Sequence, residues 1–366
     1  MKFNEFAYTR PNMEAIEEKF DLLLKTFNDA ENVEQQNAVI EKVNEARNQF
    51  ETMQELAAIR HTIDTTDEFY KEEQDFFDEN SPVYKGIVMK FYQALVDSKF
   101  RSELEQKWGT QLFKIAELTL KTFSPEVVKD LQMENRLSSE YVKLMASAKI
   151  PFEGEERNLS EMVPFTVNPD RGMRKRAQEA FYGFMTDNSE ELDRLYDELV
   201  KVRTTIAKKL GYDNFVELGY ARMTRTDYNA ADVANFRRQV KQYIVPVATK
   251  LRERQEKRIG VDKLKYYDNN FQFKTGNPKP KGDPAWILDR AKDMYNEMSE
   301  ETAEFFKYMT DHELLDLVAK KGKAGGGYCT YLADHQAPFI FSNFNGTSAD
   351  IDVLTHEGGH AFQTYS

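Results

Sequence analysis

The stretch His356-Glu357-Gly358-Gly359-His360 constrains this chain more than any other. On a helix, residues four apart stand one above the other, so His356 and His360 would project from one face. Neutral imidazole is a good zinc ligand, and two of them can meet at one ion. Glu357 follows the first His, which sets its carboxylate beside that ion and within reach of a water proton. The pattern predicts a hydrolytic zinc site, with His356 and His360 as ligands and Glu357 as the catalytic carboxylate. The competing reading is an amphipathic helix that happens to carry two His. Gly358 and Gly359 argue against it. Each costs about 1 kcal/mol relative to Ala inside a helix, and is better tolerated where something must approach the backbone. Thr347-Ser348-Ala349-Asp350 reads as a capping box, followed by the apolar Ile351, Val353 and Leu354.

The chain leading to this motif reads as mainly helical. Ile16, Phe20, Leu23, Leu24 and Phe27 form one apolar stripe, and Val39, Val43, Ala46, Phe50, Met53 and Ala57 form a second, both at helical spacing. Further helices are expected over 66–79, 81–99, 101–108, 110–122, 125–135 and 138–148. Pro151, Gly154 and Pro164 interrupt the run, and Ile150 to Leu159 reads as a short hairpin. A boundary near 150–170 divides the chain into an N-terminal helical domain, 1–160, and a catalytic domain, 161–366, incomplete at its C-terminus. Helices resume at Asp170-Arg171 and run to about Leu210, then over 213–222 and 230–258, the last kinked near Pro246. Tyr266 to Pro284 is a loop, and a helix over 284–308 follows. The basic groups at 171–176 and 201–209 read as solvated helix faces. His61, His312 and His335 are expected to be structural or surface residues, since none shares the spacing of 356 and 360.

At 366 residues the chain exceeds one typical domain. Its net charge of −12 argues against a nucleic-acid partner. No run is apolar enough to span a membrane, and the amino terminus lacks the apolar core of a signal peptide. The net charge suits a soluble cytoplasmic protein. Cys329 is the single cysteine, which leaves no partner for an internal disulfide. Nothing in the sequence bears on oligomeric state.

The sixty residues before the end change character. Lys321 to Gly327 is glycine-dense without the spacing of a phosphate loop. Tyr328-Cys329-Thr330-Tyr331-Leu332 and Pro338 to Phe344 then read as two short strands. A small antiparallel sheet next to the metal-binding helix suggests that an extended peptide pairs with an edge strand. Gly326, Gly327 and Tyr328 are the candidate substrate-binding residues. An ordinary hairpin packed on helices is the simpler alternative.

Three runs carry a resemblance: Lys321 to Tyr331, Ala337 to Thr347, and His356 to Gln363. Together they resemble the oligoendopeptidase F family of zinc peptidases, relatives of thimet oligopeptidase. Ala207 to Tyr212, Val216 to Tyr220 and Met223 to Tyr228 resemble it too. The resemblance implies a multi-helix, two-lobed peptidase with a channel that admits short peptides. It implies one catalytic zinc and endopeptidase action, and it places the backbone of the substrate along the strand near Gly326–Tyr331. It also implies a third zinc ligand, a Glu on a following helix. No acidic residue lies between Ala361 and Ser366, so that ligand is expected beyond Ser366, in a missing C-terminal segment. The 366-residue chain alone is then expected to be inactive or weakly active. The alternatives are a non-catalytic helical peptide-binding fragment and a related zinc carboxypeptidase.

Overall fold

A computed structural model describes residues 1–366. The chain is dominated by helices. Six come first: α1 (Met13–Asp29), α2 (Val33–Ile63), α3 (Glu68–Val96), α4 (Arg101–Trp108), α5 (Thr110–Leu120) and α6 (Val128–Ala146). The expected hairpin follows as β1 (Ile150–Phe152) and β2 (Glu155–Arg157), turning through Glu153 and Gly154, both at positive φ. Eight more helices run from there: α7 (Leu159–Thr166), α8 (Arg171–Asp187), α9 (Ser189–Lys209), α10 (Phe215–Arg222), α11 (Ala230–Gln239), α12 (Val245–Ile259), α13 (Pro284–Met298) and α14 (Glu300–Asp311). The chain then forms β3 (Leu315–Val318), β4 (Tyr328–Leu332), β5 (Ala337–Phe344) and α15 (Ala349–Tyr365). No helix is long and apolar enough to cross a membrane.

The expected breaks depart from the observed ones in an instructive way. Two helices were expected on either side of Ser81-Pro82, but α3 runs through. Proline removes the donor that would bond the carbonyl four residues back, here that of Asp78. The Asn135 side-chain amide, arriving from α6, donates to that carbonyl at 3.1 Å, while the Ser81 hydroxyl donates to the Phe77 carbonyl at 2.6 Å. A neighbouring helix thus repairs what proline breaks. Likewise α6 is continuous where two helices were expected. The helix expected over 284–308 is instead two, because Ser299 caps α14 through the Thr302 amide. Near Pro246 the kink takes the form of a π turn at Val240–Ile244, the wide turn that commonly relieves such a break.

Two large cores organise the packing. One is built by α1 to α5 around Phe20, Phe27, Val39, Ile40, Phe50, Phe91 and Leu95. The other lies under the sheet and α15, and draws Phe6, Leu56 and Ile59 into contact with Phe305, Phe339, Phe341, Leu354 and Ala361. The long helix α2 serves both. Backbone bonds strengthen the junction: the Ala324 amide donates to the Thr62 carbonyl and the Thr65 amide to that of Gly322, each at 2.8 Å.

The basic face expected at 171–176 is partly internal. Arg174 is 1% exposed. Its guanidinium and that of Arg171 each approach the Asp268 carboxylate at 2.7 Å, and Arg174 lies 4.0 Å from the centre of the Phe271 ring. A partner ninety-odd residues away leaves no local trace, which is why the sequence reads as a solvated stripe. Burial pushes the Asp268 carboxyl up, but bonds from Arg171 and Arg174 outweigh it and hold it below the ordinary 3.8. A depressed folded-state value stabilises the fold at neutral pH. That contribution is complete above the unfolded value of 3.8 and disappears as pH falls through the lower folded value. Urea unfolding from pH about 6 down to about 2 should show this acid loss, and Asp268→Asn should flatten it. An unchanged acid limb in the variant would reject the assignment.

Candidate metal centre on α15

Helix α15 explains its own orientation. Leu354, Glu357, Gly358 and Ala361 face inward at helical spacing, against β4 and β5. His356 and His360 are exposed on the opposite side. Their rings meet edge to face, with centroids 4.8 Å apart and planes at 84°. That separation lets one ion bridge the pair. The expected capping box does not form. Ser348 makes no side-chain cap. Asp350 instead turns back and accepts from the amides of Asn345 at 3.0 Å and Gly346 at 2.8 Å, which fixes the loop between β5 and α15.

The two glycines of the motif have different surroundings. A Cβ at Gly358 would collide with the Tyr295 hydroxyl. Tyr295 is buried and stacks on Phe306, centroids 4.6 Å apart. Gly358 is thus where α13 presses on the backbone of the helix, and the sequence flagged that approach without naming Tyr295. Gly359 has open space around it.

Glu357 lies at the border of the core, 9% exposed. One of its carboxylate oxygens is 4.0 Å from where a Gly327 Cβ would sit, and that same Cβ would stand 3.1 Å from Val353 and 3.3 Å from the Phe341 carbonyl oxygen. A side chain at 327 would therefore press on Val353 and the Phe341 backbone where the start of β4 meets the helix. Burial, with the Glu357 charge beside it, raises the Cys329 thiol to about 11.

The expected antiparallel pairing is present: β4 pairs with β5 from Tyr328↔Phe341 to Leu332↔Ala337. A third strand was missed. Four-residue β3 joins β5 in parallel, giving the order β3-β5-β4, so the sheet is mixed and β4 is an edge strand. Gly326 and Gly327 are exposed at its start, and the Asn343 amide holds the carbonyls of Ala324 and Gly326 at 2.9 and 2.8 Å. Tyr328 points elsewhere. Its hydroxyl bonds Thr62 at 2.7 Å and its ring stacks on Phe341, so only its backbone is available to a ligand.

Lys323 also escaped the sequence. Its ammonium is enclosed, bonded to the Asp316 carboxylate and to the carbonyls of Asp316 (3.1 Å), Val318 (3.0 Å) and Ser342, and lies 4.4 Å from the centre of the Phe341 ring. It ties the glycine run to the sheet.

The remaining His do not join the pair. His61 is buried in α2. His312 bonds the Tyr308 carbonyl at 2.9 Å, and His335 stacks on Phe6 with centroids 3.9 Å apart. No group of three His, Cys, Asp or Glu converges anywhere in the chain. By donor chemistry, His356 and His360 fit two positions of a zinc site.

Comparison with known proteins agrees with this architecture. Residues 3–123 match the peptidase M3 N-terminal domain, and residues 165–284 and 287–366 match peptidase family M3. No curated protein matches. Among solved structures, Pz peptidase A with an inhibitor is 63% identical, with a TM-score of 0.99, over 100% of this chain and 65% of that one. A structure described as oligoendopeptidase F from Bacillus anthracis strain Ames is 64% identical, with a TM-score of 0.99, over 100% of this chain and 67% of that one. Another oligoendopeptidase F structure is 62% identical with the same TM-score and 65% of its chain covered. The chain therefore spans about two thirds of the length of these relatives. On these matches, and on the mainly helical fold that it shares with the oligoendopeptidase F structures, the chain belongs to peptidase family M3.

Proposed function

We propose that the complete protein is a zinc-dependent endopeptidase acting on short peptides. The observation that carries this is the placement of His356 and His360 on the open face of α15, with the adjacent Glu357 turned toward Gly327 at the start of the edge strand β4. Zinc, when bound, supplies a Lewis acid that polarises a carbonyl and acidifies water. His356 and His360 hold it. Glu357 takes a proton from the attacking water and returns it to the leaving amine. The free edge of β4, starting at Gly326 and Gly327, holds the peptide through main-chain hydrogen bonds, with Tyr328 contributing its backbone.

The third protein ligand that catalytic zinc requires lies, in this reading, beyond Ser366, and these 366 residues alone bind metal weakly. A cytoplasmic location belongs to the same reading and rests on the family resemblance. A second reading is a non-catalytic peptide-binding fragment. Metal analysis by plasma emission separates the two. The complete protein should carry one zinc per chain, and His356→Ala should lose it. A complete protein purified without metal would overturn the proposal.

A further inference from the structure

A cavity of about 350 Å³ opens beside the glycine run. Its polar side, or rim, is lined by Asn158, Ser160 and the buried Lys323, and its apolar side, or floor, by Met145, Val163 and Phe181, with Tyr141 46% exposed. Gly325 and Gly326 form one wall. The rim is engaged elsewhere: Asn158 caps α7 and bonds the Lys320 carbonyl, and Lys323 is held by the sheet. Little polar capacity is therefore left for a ligand, while the apolar floor has none. The volume is at the lower end of ligand pockets, which run from roughly 300 to 1,000 Å³, and suits a side chain.

Position decides which side chain. Glu357 reaches to 4.0 Å of the Gly327 Cβ position, and Gly325 is two residues further along, at most about 7 Å. A peptide paired to this edge would thus pass the cavity mouth within about three residues of its reacting bond, at about 3.3 Å per residue. Glycines at 325 and 326 leave nothing between the peptide and the floor.

We infer that this cavity is a specificity pocket for a large aliphatic or aromatic side chain of the peptide, within about three residues of the cleaved bond. The inference rests on the edge-strand reading above. Recognition is then divided, with β4 reading the backbone and the floor reading one side chain.

The test uses the complete, zinc-loaded protein and internally quenched peptides blocked at both ends. The peptides differ only in one residue, placed one, two or three positions from the cleaved bond on either side and carrying Phe, Leu, Gly or Asp, and mass spectrometry identifies the bond. At one of these positions, kcat/KM for Phe and Leu should exceed that for Gly about tenfold, within the range a hydrophobic pocket supplies, and Asp should be poorest. Met145→Glu should bring the Phe-to-Gly ratio near one, and Phe181→Ala should lower it severalfold. If Met145→Glu fails to fold, Phe181→Ala and the wild-type series still decide. Equal cleavage of Phe and Gly peptides, or a ratio unmoved in the folded variants, would overturn the pocket while leaving the peptidase reading intact. Failure to cleave any blocked peptide would overturn the endopeptidase reading and the pocket with it.

Discussion

Glu357→Gln in the complete protein should lower kcat by roughly 10²–10⁴, the usual worth of a positioned general base, and leave zinc bound. Glutamine keeps the shape of the side chain, so the packing of α15 against Gly327 and Val353 is preserved. What it removes is the proton acceptor. Metal should stay because His356 and His360 are untouched and lie on a different face from the inward side of the helix. Two measurements on one sample check this: single-turnover cleavage of a blocked peptide, and zinc content by plasma emission. Near-normal turnover would reject the role given to Glu357. Loss of zinc together with activity would instead make it part of the metal's environment.

Lys323→Met should cost about 3 kcal/mol of stability, because breaking a buried pair by removing one partner typically costs 3–5 kcal/mol. The lower end applies since Asp316 keeps a 24% exposed side chain and a second contact with Lys320 at 3.1 Å. Methionine fills the volume and covers Phe341. It leaves the enclosed carbonyl of Ser342 without the ammonium that bonds it, and an unsatisfied buried acceptor is expensive. Urea unfolding measures the loss; a change below about 1 kcal/mol would show that water replaces the ammonium. Because Lys323 lies two residues before Gly325, the variant should also loosen the start of β4, seen as faster amide exchange at Gly326 and Gly327.

How much of this was legible beforehand depends on whether the physics is local. The periodicity that puts His356 and His360 on one face is a property of five consecutive residues, and the structure places them so. The stripes of α1 and α2 were read for the same reason, with Phe20, Leu23, Phe27, Val39, Val43, Ala46, Phe50 and Ala57 all buried. Pro82 misled because the group that rescues it, Asn135, lies in another helix. Arg174 and Lys323 misled because the pattern does not show which of 50 basic residues finds an enclosed carboxylate. The strand β3 was missed because four residues carry almost no alternation, and its pairing with β5 is parallel and non-local. Tyr295 left a trace only as an unexplained glycine at 358.

The core beneath α15 has one more consequence. Phe6, Leu56 and Ile59 touch the same cluster as Leu354 and Ala361, so the floor under the imidazoles is supplied from the opposite end of the chain. Any ion that prefers the ordered helix stabilises that floor by mass action. Under the zinc proposal, metal occupancy and the unfolding of the amino-terminal helices form a single linked equilibrium, and damage near Leu56 would lower metal affinity as well as local order.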